Sequence, residues 1–399
     1  MERIPLTRNS TGKALVLTSV ALLALGVVMV HSAVASVLEP GAWYSRVDVR
    51  HTVFAAAAAI VLLVGWRFDY HKLQAGGRPS GPARSSRLPV PTAIVLVAAL
   101  VCGVLVFVPG VGRSVGGYYR WLRVGPSQYG IGFQPSELIR ISLVMFLAAW
   151  LSMKDDREIK SLPKTFLPAA GLILVCAALV VTQDFGMGAL IGLSAGATLL
   201  LAGAPLLYFV LLAVPAAAGF YFLVVRDPMR WGRITAMIDP WSQTNPTAYQ
   251  PQQSLMAILS GGWFGKGTGL GICKLGYLPE DSTDFIFSVF CEEWGFLGAV
   301  LLLALIAVWI FSARRATVRC SDRFGRLLAG SVGFMIAIQA VLHVAVDLVA
   351  IPPKGMSLPF VSAGGTGLML TAVACSLMVS VTAHSGDADE LPLAAIGGT

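Results

Sequence analysis

The sequence predicts an all-α polytopic membrane protein. Three observations carry that reading. Of 399 residues 56% are hydrophobic and only 13% charged, too apolar and charge-poor for a water-soluble globular chain. The apolar residues fall in runs that approach or reach the roughly 17–25 residues a helix needs to cross about 30 Å of hydrocarbon. Lys and Arg are distributed unequally between alternate loops, as they are across a membrane.

About ten spans are expected, near residues 14–33, 51–66, 92–109, 138–152, 166–181, 187–203, 205–225, 285–312, 326–350 and 365–384, the fourth to sixth being short. The first run follows Arg3, Arg8 and Lys13, and Val30–Ser36 is a small-residue stretch like a signal cleavage site. A multispanning chain uses such a run as its first helix, and it is read as retained.

With the amino terminus inside, the inner loops hold Arg67, Lys72, Arg78, Arg84, Arg87, Lys154, Arg157, Lys160, Lys164, Arg314, Arg315, Arg319, Arg323 and Arg326. The short outer loops hold only Arg46, Arg50, Arg113, Arg120, Arg123 and Lys354. Both termini are then cytoplasmic, and a large polar loop over 226–284, between the seventh and eighth spans, is extracytoplasmic. Leu73–Val90 reads as a flexible inner loop rich in Gly, Pro, Ser and Arg, and 385–399 as a small acidic disordered tail. The membrane domain is therefore expected over 1–384. The formal charge of +8 is mostly the inner-loop bias, which attraction to anionic headgroups explains without any nucleic acid. The six cysteines show no disulfide framework and no metal-ligand spacing.

The polar signals gather at one face. In this topology the fourth, sixth, eighth and tenth helices enter from outside, introduced by Gln134-Pro135-Ser136-Glu137, Gln183-Asp184-Phe185-Gly186, Ser282-Thr283-Asp284 and Ser362–Gly367. Helix amino termini carry free N–H groups and partial positive charge, so four converging would favour an anionic ligand. Glu280, Asp281 and Asp284 stand at the mouth of the eighth span, where ionisable groups are functional candidates. For Asp284 two readings stand: helix capping, with Ser282 or Thr283 as cap, or chemistry. Glu292 and Glu293 follow about 12 Å further along, deep enough to need a partner or a polar cavity.

The outer loop adds Arg230, Arg233, Lys266 and Lys274, cations suited to phosphate. Its Gly261–Gly271 run is a candidate phosphate nest without P-loop spacing. Leu255–Leu259 reads as an interfacial amphipathic segment, and Trp231, Trp241 and Trp263 fit an aromatic belt. Glu137 and Arg140 are neighbours on one helix face, as an internal ion pair or as substrate ligands. His31 and His343 read as structural, and Asp347 is open between the two roles.

These residues together resemble the SEDS family, the polytopic shape, elongation, division and sporulation proteins that include FtsW and RodA. The motifs are Arg120-Trp121, Gln134–Glu137, Asp239-Pro240-Trp241, Gln250 with Gln253-Ser254, Leu278-Pro279-Glu280 with Thr283–Phe287, Glu292-Glu293, and Pro353-Lys354-Gly355 followed by Leu358–Ser362. Lys354-Gly355 and the early Met29–Ala33 run are nearer to FtsW than to RodA. The sequence departs from the family at Ser282, where His is usual, at Arg140 for Lys, at Gln183–Met187 for Pro-Asp-x-Gly-Thr, and at His343 for Asn. Ser282 does not titrate near neutrality, which bears on any mechanism that uses an imidazole there.

The resemblance implies a peptidoglycan glycosyltransferase that polymerises lipid II at the outer face of the inner membrane, beside a class B penicillin-binding transpeptidase and other division proteins. It would invert an α-linked undecaprenyl diphosphate donor into a β-1,4 glycan, with Asp284 as general base. Arg230, Arg233, Lys274 and Arg140 would stabilise the departing diphosphate, alone or with a divalent cation such as Mg or Mn. Gln250, Gln253, Ser254, Glu280, Arg120, Trp121, Glu137, Ser362, Gly364 and Gly365 are the further substrate-binding candidates. The alternatives are an elongation-type polymerase, a lipid-linked precursor flippase, which should show midplane ionisable groups and inverted repeats, and a division scaffold.

Overall fold

The computed structural model describes residues 5, 8–34, 46–74, 88–115, 117–123 and 132–384. The acidic tail from 385 and most of the Gly/Pro/Ser/Arg loop, 75–87, lie outside the described residues, as do Arg3, Ala35 and Ser36. The described chain runs α1 Ser10–Val34, α2 Val47–Gly65, α3 Val90–Leu105, α4 Pro135–Ser152, the single turn α5 Asp156–Ile159, α6 Leu167–Val181, α7 Phe185–Ala202 and α8 Leu206–Phe220. After it come α9 Pro228–Ile238, α10 Tyr249–Gly261, α11 Ile286–Arg319, α12 Arg323–Asp347 and α13 Thr366–His384.

Among the described residues nine helical segments are long and apolar enough to cross a membrane, and α3 is a shorter apolar helix of 16 residues. These segments follow the expected runs in order. A small sheet was not expected: β1 Gly112–Val115, β2 Tyr118–Arg123 and β3 Gly132–Phe133 pair antiparallel between α3 and α4. Such short strands leave too little alternation to be read from sequence.

Helix α4 is the hub. It packs on α3, α7 and α12, while α1, α11, α12, α2 and α13 close around the other side. The α4 span is 83% buried and the span containing α8 only 6%, so α8 stands at the periphery with no buried residue of its own. The local starts follow ordinary capping chemistry. Pro135 opens α4 behind Gln134, and Asp184 caps α7 by accepting from the Met187 N–H at 2.9 Å. Asp227 caps α9, accepting from the Met229 and Arg230 N–H groups at 3.0 and 3.2 Å, with Pro228 in the first turn.

The glycine-rich stretch has a structural task in place of the nest that its composition suggested. Helix α11 is broken at Gly295, whose φ of 66° and ψ of −167° only glycine adopts readily. The break frees backbone groups within an apolar span, and each needs a partner. The N–H groups of Lys266 and Gly267 donate to the Glu292 and Glu293 carbonyls at 3.0 Å each, and those of Phe296 and Leu297 donate to the Gly262 and Trp263 carbonyls at 2.9 and 3.2 Å. Residues 262–267 thus splint the break.

The two glutamates find their partners in the same splint. Glu292 accepts from Lys266 Nζ at 2.7 Å and from the Ile272 and Cys273 N–H groups at 2.9 and 3.1 Å. Glu293 accepts from Lys274 Nζ at 2.8 Å and Ser32 Oγ at 2.7 Å. Lys274 also donates to the Ser32 carbonyl at 3.1 Å. These are buried ion pairs with their remaining lone pairs satisfied, the arrangement that makes a buried charge tolerable.

Candidate active site

Asp284 sits at the end of a tight turn that precedes α11. Glu280 adopts the left-handed region at φ 57°, and its carbonyl accepts from the Thr283, Asp284 and Phe285 N–H groups at 3.2, 2.9 and 3.2 Å. The capping reading fails here. The helix cap is Phe285, with no side-chain cap bond, and Thr283 Oγ1 turns back to Glu280 Oε2 at 3.0 Å. Among the described residues the Asp284 carboxylate makes no hydrogen bond or ion pair.

That carboxylate lies against Gly355, which lines a cationic cavity. A Cβ placed on Gly355 would lie 2.6 Å from Asp284 Oδ2, and one on Gly186 would lie 2.5 Å from Lys354 Nζ, so bare backbone lets both charged groups lie flat against the wall. The cavity, about 300 Å³, is lined by the charged residues Arg120, Asp184, Arg230, Arg233 and Lys354 and by apolar residues including Leu190, Leu193, Phe220 and Leu342. Arg120 holds Asp184 at 3.7 Å and donates from Nε to the Gln183 carbonyl at 2.9 Å. Arg230 is braced by the Leu223 and Thr182 carbonyls at 2.9 and 3.0 Å.

The electrostatics set the two central groups against their ordinary states. Burial, then the Glu280 and Asp184 carboxylates, push Asp284 up to about 7, with Lys354 and Arg120 opposing. Burial pulls Lys354 down to about 8, with Arg140 and Arg120 acting the same way and Asp184 and Asp284 opposing. Asp281 is likewise raised to about 6, chiefly by burial.

The other sequence candidates divide. Glu137, in the first turn of α4, packs against α13 at Gly367, where a Cβ would collide with its carboxylate. Arg140 turns from Glu137 to Gln339, donating to Oε1 at 2.5 Å and leaving Nε and Nη1 unpartnered among the described residues. Trp121, Gly364 and Gly365 line a separate cavity. Gln250 and Gln253 are half-buried on α10, and Glu280 is exposed beside Asp284. Three candidates do structural work. Lys274 is locked to Glu293, away from the cationic cavity's lining. Ser254 is buried, contacting Ser288 Oγ at 2.7 Å and donating to the Asp347 carbonyl at 2.6 Å. Ser362 accepts from the Leu358 N–H and donates to the Thr283 carbonyl, both at 2.7 Å, and so latches the turn that carries Asp284.

The profile of a family of cell cycle proteins, FTSW_RODA_SPOVE, matches residues 13–387. The chain belongs to the FtsW/RodA/SpoVE family. It is 36% identical over 381 residues to a probable peptidoglycan glycosyltransferase FtsW of Thioalkalivibrio sp. (strain K90mix), covering 94% of this chain and 90% of that protein. It is 31% identical over 383 residues to stage V sporulation protein E of Bacillus subtilis (strain 168), covering 95% and 98%. A solved structure described as showing structural coordination of polymerization and crosslinking by a peptidoglycan synthase complex shares the fold. The TM-score is 0.71 at 23% sequence identity, covering 92% of this chain and 96% of that one.

For this FtsW/RodA/SpoVE protein the structure adds two residues to the cluster that sequence reasoning had left among the motifs, Asp184 and Lys354. Each had a signal: a lone charge near glycine in a short loop between apolar spans, in Asp184-Phe185-Gly186 and in Lys354-Gly355. Ser282, in place of the family's His, contributes its carbonyl, which accepts the Ala363 N–H at 3.0 Å, a bond that any residue supplies.

Proposed function

We propose that the chain is a peptidoglycan glycosyltransferase that polymerises lipid II at the outer face of the cytoplasmic membrane, with Asp284 as its general base. The observation that carries the reading is the Asp284 carboxylate, with no hydrogen bond or ion pair among the described residues, beside a cavity lined by both cationic and apolar side chains. A diphosphate-linked lipid has that same division of charge. Arg120, Arg230, Arg233 and Lys354 would hold the diphosphate, and the apolar wall the start of the isoprenoid.

In the reaction Asp284 takes the proton from the acceptor sugar's hydroxyl as that oxygen forms a bond to the anomeric carbon of the donor. The bond from that carbon to the diphosphate breaks, and undecaprenyl diphosphate leaves with the electron pair. One base suffices for inversion, without the second carboxylate of a hydrolase. Fixed cations aimed at the charge that develops on the leaving group would lower the barrier without reorganising. Among the described residues no three His, Cys, Asp or Glu side chains converge as a metal cage. Lys354 already lies beside the carboxylates, so any Mg or Mn in the reaction would be carried chiefly by the diphosphate.

The excess of Lys and Arg in alternate loops supports inward termini and an outward-facing site. The FtsW relatives support a division role, and the likeness to a synthase complex supports a class B transpeptidase partner. The test is lipid II polymerisation by the purified protein with its transpeptidase. Wild type should form glycan and Asp284→Asn should not; normal turnover by the variant would refute the base assignment.

A further inference from the structure

The cavity lined by Trp121 is separate from the cationic cavity. Its volume is about 180 Å³, and strand β2 stands between it and the cationic cavity. Successive residues of a strand point to opposite faces. Tyr118 and Arg120 line the cationic cavity, and Trp121 lines the second one.

Helix α2 supplies the far wall through Val47, Arg50, His51 and Phe54, one face of a helix. The Gly364–Gly365 turn ahead of α13 supplies another. Trp121 lies over Gly132, where a Cβ would meet the indole at 2.9 Å, so its ring is held by packing. His51 is the unexplained group. It is 2% exposed, and neither ring nitrogen has a hydrogen-bond partner among the described residues. A buried polar group in that state is costly unless something it binds completes it.

The two cavities meet at the catalytic turn. Ala363, in the lining of the second cavity, donates its N–H to the Ser282 carbonyl at 3.0 Å, while Asp284 lies against Gly355 in the lining of the cationic cavity. A polymerase of sugars must hold two saccharides at once, one on each side of its base. An aromatic face, an imidazole, a guanidinium and backbone groups around a small cavity suit a sugar ring better than a diphosphate, which calls for several cations.

We propose that the cavity between α2, β2 and the Gly364–Gly365 turn is the acceptor-sugar subsite, with Trp121 against the apolar face of the sugar and His51 bonded to one of its polar substituents. This rests on the glycosyltransferase reading and adds which cavity takes which substrate. The probe is a lipid-free GlcNAc–MurNAc tetrasaccharide, with inorganic diphosphate as its counterpart. Binding is measured to the full-length Asp284→Asn protein, which holds ligand without turnover, and to the same protein carrying Trp121→Ala, Trp121→Phe, His51→Leu or Arg233→Ala.

Trp121→Ala and His51→Leu should each weaken tetrasaccharide binding at least about tenfold and leave diphosphate binding within about twofold, about 1.4 kcal/mol corresponding to each tenfold. Trp121→Phe should recover most of the loss, which mere damage to the fold would not permit, and Arg233→Ala should weaken diphosphate alone. Unchanged tetrasaccharide binding in both cavity variants, no binding by the Asp284→Asn parent, or loss of diphosphate in place of sugar would overturn the assignment. Lipid II polymerisation by wild type, run alongside, keeps this apart from the parent reading: glycan formed with binding unmoved removes the subsite alone.

Discussion

Carboxylates just before and just inside α11 lie close together in sequence, and their surroundings are opposite. Glu292 and Glu293 each hold a lysine at 2.7 and 2.8 Å and have further donors around them. Asp284, eight residues earlier than Glu292, has cations near it but no bond among the described residues. The first pair serves structure, since its charge is neutralised where it stitches the Lys266–Lys274 segment to a broken helix. Asp284 is held by its backbone turn, and its carboxylate stays free to take a proton. A carboxylate in a membrane helix is thus not a catalytic signal by itself. Whether its lone pairs are already used decides the role.

The sharpest way to break this contrast is to neutralise each in turn. Asp284→Asn should lower lipid II polymerisation on the order of 10²–10⁴-fold without loss of folded protein. Its carboxyl is raised from the ordinary value near 4 to about 7, so between those values the folded state binds more protons than the unfolded one. Stability from this group therefore falls as pH rises through that window, and the variant should melt no lower than wild type at pH 7.5. A lower melting temperature would show that Asp284 belongs with the structural pair.

Lys274→Met should do the reverse. It strands Glu293 as a buried charge, a loss of about 3–5 kcal/mol, and should appear as a collapse in thermal stability. The double variant Lys274→Met with Glu293→Met should recover much of it. If Lys274→Met stays folded and fails only in turnover, the lysine serves the substrate after all.

Lys354→Met should cost on the order of 10²-fold in turnover with a smaller change in melting. A finer prediction concerns pH. With Asp284 acting as an ionised base and Lys354 as a protonated cation, polymerisation should rise as pH passes about 7 and fall beyond about 8. The limbs belong to the coupled pair rather than to either residue, and Lys354→Met should remove the alkaline limb. A flat profile between pH 6 and 9 would detach both groups from the chemistry.

Much of this was legible in the chain. Apolar runs gave the spans because the bilayer demands unbroken apolar helices with internally satisfied backbone. Motifs at four helix mouths pointed to the face where Asp184, Asp284 and Lys354 gather. The small sheet, the roles of Lys274 and Ser254, and the failure of Asp284 as a cap were not legible. Each depends on a partner remote in sequence or on the path of one turn: Lys274 meets Ser32, Ser254 meets the Asp347 carbonyl, and Glu280 closes the turn through a left-handed backbone that composition does not announce.

By itself, then, the sequence determined the class of molecule, the order of its helices and the residues available for chemistry, because hydrophobicity and charge are properties of residues one at a time. Only the tertiary structure decided which charges are already paired, that β2 parts Arg120 from Trp121 into two cavities, and that glycines at 186 and 355 let a lysine and an aspartate lie against their wall. Availability of a charge depends on distance and burial, and these exist only once the chain has folded.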